Sequence, residues 1–95
     1  MSAPCPEYGF VLRCRLVAVA NGDPHAALRA AFADALEAHG LVAAGGGESD
    51  WRYVIRRDGG QAVDADRQAV AAWLATRREV ADVVVGPLVD LTEPD

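Results

Sequence analysis

"WRYVIRR" (residues 51–57) alternates two sets of side chains with a period of two. Trp51, Tyr53, Ile55 and Arg57 go one way, and Arg52, Val54 and Arg56 go the other. That is the mark of a strand with one covered and one open face. A second alternator stands upstream, in "GFVLRCRLVAV" (9–19). There Phe10, Leu12, Cys14, Leu16 and Ala18 share one side, and Val11, Arg13, Arg15, Val17 and Val19 share the other. If both large apolar sets turn toward covering helices, Arg13, Arg15, Arg52 and Arg56 gather on the uncovered side. The opposite parity for 51–57 would instead present Trp51 and Tyr53 to solvent beside Arg57.

The segments between supply the helices. "NGDP" (21–24) reads as a turn with Asp23 as cap and Pro24 at the first helical position, where its missing N–H costs nothing. The helix runs to about His39 and stops at Gly40. Leu28, Ala31, Phe32, Ala35 and Leu36 form its apolar stripe. "LVAAGGGESD" (41–50) is a short strand breaking into a turn. After "DGGQAV" a second helix begins with Asp64 as cap. Its buried stripe is Val70, Trp73 and Leu74, and Arg77 and Arg78 stand at its C-terminal end, where cations suit the dipole. "EVADVVVGPLVDL" (79–91) is a valine-rich strand interrupted by Gly86-Pro87. Proline cannot donate to a ladder, which predicts a sheet edge or a bulge there.

The order β-α-β-β-α-β, with right-handed crossovers, predicts an α+β ferredoxin-like two-layer sandwich. Its four-stranded antiparallel sheet would carry two helices on one face, with the first and third strands central. Residues 1–8 read as a flexible lead-in, 9–91 as a single domain and 92–95 as a tail.

The chain has 95 residues and a net charge of −5, with nine arginines, no lysine and fourteen carboxylates. Such a field repels phosphate at long range, so any anionic partner must be met by a local cluster. No apolar run approaches the roughly 20 residues of a membrane span. "MSAPCPEYGF" lacks the basic start and apolar stretch of a signal peptide, so the cytoplasm is the expected location.

Chemistry-bearing constellations are sparse. Cys5 and Cys14 lack metal-ligand spacing and read as reduced thiols. His25 and His39 bracket the first helix, about 21 Å apart at its rise per residue, with no nucleophile adjacent. Gly45-Gly46-Gly47 precedes no Lys-Ser/Thr and reads as a hairpin connection. The predicted fold also hosts acylphosphatases, but the arginine-bearing loop that their site needs is missing from "VAVANGDP". Neither an enzyme nor a cofactor, metal or small-molecule substrate is expected.

"GLVAAGGGESDW" (40–51), "DADRQAVAAWLATRREV" (64–80) and "VVVGPLVD" (83–90) resemble successive signatures of the YggL family of 50S ribosomal subunit-binding proteins. The shared positions are Gly40, Leu41, Gly45 to Gly47, Trp51, Asp66, Arg67, Trp73, Leu74, Arg77, Val85, Gly86, Leu88 and Asp90. "YGFVLRCRL" matches more loosely. The better-known members carry a lysine- and arginine-rich N-terminal extension, whereas this chain begins "MSAPCPE". Many members also end in Asp followed by aromatic residues, where this one reads "DLTEPD". If docking depends on the extension, it is weakened or altered here.

The resemblance implies a non-catalytic protein that contacts the large subunit through rRNA or a ribosomal protein. Arg13, Arg15, Arg52 and Arg56 are the expected contacts, with Arg67, Arg77 and Arg78 as lesser ones. The rival expectation is a protein-interaction or dimerisation module, since open sheet faces and edges of this kind pair readily.

Overall fold

The computed structural model describes residues 7–17 and 24–91. Its elements are β1 (Tyr8–Leu16), α1 (Pro24–Ala38), β2 (Leu41–Gly46), β3 (Asp50–Arg57), α2 (Asp64–Ala75), β4 (Val80–Val85) and β5 (Val89–Asp90). The fold is mixed α/β: two helices and an antiparallel sheet of five strands in the order β2-β3-β1-β4, with β5 also pairing β1.

The four strands expected are therefore five. Gly86 still donates to the Val11 carbonyl at 2.8 Å. Pro87 has no N–H to give, so the ladder lapses and resumes where Gly9 meets Val89 and Tyr8 meets Asp90. The bulge lies elsewhere, inside β4. Pairing passes from Arg13↔Val84 to Arg15↔Ala81, which leaves one extra residue on β4. Asp82 sits in it with φ 53°, the left-handed region that Asp enters more readily than most side chains.

One core joins both layers. Phe10, Leu12, Cys14 and Leu16 of β1 and Trp51 and Ile55 of β3 are buried against Leu28, Phe32 and Leu36 of α1 and Val70 and Leu74 of α2. Phe32 is the hub, with ring centroids 5.6 Å from Trp51, 5.4 Å from Tyr53 and 5.5 Å from Trp73. The even-numbered residues of β1 and the odd-numbered ones of β3 thus face the helices, and the parity of 51–57 is settled.

Several boundaries differ from expectation. β1 begins at Tyr8, inside the stretch read as a lead-in, and the Glu7 carbonyl accepts from Leu91 N–H at 2.7 Å. The N-cap of α2 is Val63 rather than Asp64, because the Asp66 carboxylate folds back to accept the Val63 N–H at 2.9 Å. α2 ends at Ala75 with Thr76 as C-cap, so Arg77 and Arg78 lie in the turn beyond it. The predicted cap Asp23 and the residues Cys5 and Asn21 lie outside the described residues.

The glycine cluster closes the β2–β3 hairpin. Gly47 has φ 136°, and a Cβ there would stand 1.8 Å from the Asp50 carbonyl oxygen. Arg29 of α1 donates to the Gly47 carbonyl at 2.5 Å, tying the hairpin to the helix layer. Gly45, Gly46 and Gly47 have φ of 135°, 151° and 136°, a region that L side chains rarely adopt.

Candidate functional site

Strand register builds the open face. β1 and β3 pair Arg13 with Arg52 and Val11 with Val54, while Arg15 meets Asp50 and Gly9 meets Arg56. β2 continues the same face with Val42 opposite Arg56 and Ala44 opposite Val54. On the other flank β4 sets Val84 opposite Arg13. Arg13, Arg15, Arg52 and Arg56 are all exposed.

Their electrostatic surroundings divide them. Arg15 Nε donates to Asp82 Oδ2 at 2.9 Å, and Arg56 Nη1 lies 3.2 Å from Glu7 Oε1. Among the described residues no carboxylate forms an ion pair with Arg13 or Arg52. Two shallow depressions flank that central pair. One of about 370 Å³ is lined by Arg13, Cys14, Arg15, Asp50, Trp51, Arg52 and Asp82. The other, about 230 Å³, is lined by Val11, Arg13, Arg52, Val84 and Gly86.

The three lesser candidates lie apart from this face. Arg67 of α2 is a joint: Nε donates to the Gly86 carbonyl at 2.7 Å, Nη2 to the Val85 carbonyl at 3.3 Å, and Nη1 pairs with Asp64. Arg77 lies 4.3 Å over the Trp73 ring, a cation–π contact. Arg78 is exposed. Arg67 and Arg77, expected as lesser partner contacts, each have a structural contact within the fold.

Arg57 was not among the sequence candidates, and it has a clear place. It projects from the end of β3 on the helix side, and Nη2 meets Asp66 Oδ1 at 2.5 Å. Asp66 is buried, and its carboxylate serves both this pair and the start of α2. The signal was legible: an arginine continuing the apolar side of a strand must find a partner or water at the sheet's end. Asp82 and Glu7 gave no such signal, one being hidden in a bulge and the other in an apparent lead-in.

A further depression, about 460 Å³, lies between α1 and the β2–β3 hairpin, where Arg29, Glu37 and Asp58 border Phe32, Leu36 and Tyr53. Among the described residues no three His, Cys, Asp or Glu side chains come together as a metal site. No helix there is long and apolar enough to cross a membrane.

Residues 5–92 match the family model described as YggL 50S ribosome-binding protein. No curated protein and no solved structure matches the chain.

Proposed function

The chain belongs to the YggL family of 50S ribosome-binding proteins, and from that premise we propose that it is a non-catalytic, cytoplasmic accessory protein docking on the large subunit through the open face of its sheet. The scaffold on this reading is a ferredoxin-like sandwich extended by β5. One observation carries the choice of surface. Arg13 and Arg52 stand opposite each other on adjacent central strands, exposed and without carboxylate partners among the described residues. Arg15 and Arg56 flank them.

The composition of the face narrows the kind of contact. Phe10, Phe32, Trp51, Tyr53 and Trp73 all belong to the helix side, and valines occupy the places between the arginines. A face without rings lacks the aromatic platform on which single-stranded modules stack successive bases. Guanidinium forks instead suit phosphate oxygens, which position a protein on folded RNA without reading its sequence. Arg78 is a further contact at the edge of this reading. Arg67 and Arg77, already engaged within the fold, contribute less.

Co-sedimentation with 50S subunits across a salt series tests the reading. The R13Q/R52Q double variant is expected to bind roughly fivefold or more weakly. The slope of log affinity against log salt should flatten by about 1.5, the share of two phosphate contacts. Unchanged affinity and slope would remove this surface from the proposal.

A second reading has its own observation. Tyr8, Val83, Val84, Leu88 and Val89 are exposed apolar residues near the β4–β5 edge. They favour a protein-interaction or dimerisation module with no direct RNA contact, and the mass of the chain in solution bears on it.

A further inference from the structure

The open face carries its own competitors for phosphate. Two of its four arginines are held by carboxylates from distant parts of the chain: Arg15 by Asp82 in the β4 bulge, and Arg56 by Glu7 just ahead of β1. We propose that Asp82 and Glu7 are built-in counter-charges that limit the affinity of this face for an RNA backbone. Arg13 and Arg52 meet the phosphates first, and Arg15 and Arg56 join only when their carboxylates are displaced. The inference rests on the RNA-facing reading above.

Exposure makes the exchange feasible. Side-chain exposure is 54% and 71% for Arg15 and Asp82, and 48% and 39% for Arg56 and Glu7. Ion pairs this open are screened by water and salt, so they hold the guanidiniums loosely. A phosphodiester strand, with its condensed counterions to release, competes well for them. After displacement the two carboxylates remain nearby and repel the incoming phosphates. That repulsion is the restraint.

The bulge supplies a clean variant. At φ 53° Asp82 occupies a backbone region that Asn tolerates as well as Asp does. D82N therefore removes the charge while keeping shape and backbone, and E7Q does the same at the other pair. E37Q makes an identical change in net charge on an exposed residue of the helix layer. Binding to 50S subunits at fixed low salt, followed by a salt series, reads all three.

D82N and E7Q are each expected to tighten binding by about two- to fivefold. The salt slope should steepen by roughly 0.7–0.9 per arginine released, with a smaller change for E37Q. If D82N and E7Q bind as the unaltered chain does, or gain no more than E37Q, the counter-charge role is overturned. Should R13Q/R52Q still weaken binding in that case, the RNA-facing reading stands and only this inference falls.

Discussion

Arg13 and Arg52 place like charges directly opposite each other on paired strands, an arrangement that costs a sheet up to about 1 kcal/mol. Cys14, the neighbour of Arg13 on the covered side, shows the opposite chemistry. It is 4% exposed, and burial, with a smaller push from Asp50, raises its thiol from 9.0 to about 11. The folded chain then keeps a proton that the unfolded chain sheds near its ordinary value. The associated stability is fully present below about pH 9 and is lost as pH rises through about 11. Urea titrations of the unaltered chain and of C14A across that window should differ in slope, by at most about 3 kcal/mol in total. Parallel pH profiles would show that the thiol contributes nothing. Its burial was legible from alternation alone, whereas the push from Asp50 depends on a cross-strand neighbour.

At the scale of elements, β1, β3 and the helix stripes follow from local pattern. Period two fixes which side chains a strand can bury, and 3.6-residue spacing does so for a helix. The joint between α2 and the β4–β5 strand does not follow. Arg67 supplies it by donating to the carbonyls of Gly86 and Val85, at the junction between β4 and Pro87. R67A should destabilise the domain by about 1–2 kcal/mol, since it leaves a partly buried acceptor unmet. Amide exchange at Gly86 should accelerate, while R78A stays within about 0.5 kcal/mol of the unaltered chain. Equal stability of the two variants would deny Arg67 this role. This joint was not legible in the sequence, because a helix-face pattern does not show which strand carbonyls the fold brings within reach of Arg67.

For the whole molecule, the exposed valines pose the question of self-association. β4 is an edge, and an unbroken apolar edge invites pairing with another copy. This one carries the usual deterrents: a bulge, the Asp82 charge within it, and Pro87 at its end. Light scattering at micromolar concentration should therefore give the monomer mass of 10.0 kDa. A stable dimer would favour the protein-interaction reading, decisively so if R13Q/R52Q left the dimer intact and ribosome binding absent in both forms. The net charge of −5 acts at this scale too, disfavouring generic RNA and leaving contact to the arginine face.

Alternation by itself determined which side chains of each central strand share a face, and that information is local. Only the packed core decided that Trp51 and Ile55, rather than Arg52 and Arg56, turn toward the helices. The tertiary structure also decided which arginines of the open face are held. Arg15 meets a carboxylate 67 positions away, brought near by an extra residue in β4, and Arg56 meets one from the start of the chain. Exposed ion pairs are set by strand register, and register follows from the packing of the whole core rather than from any stretch that contains the charges.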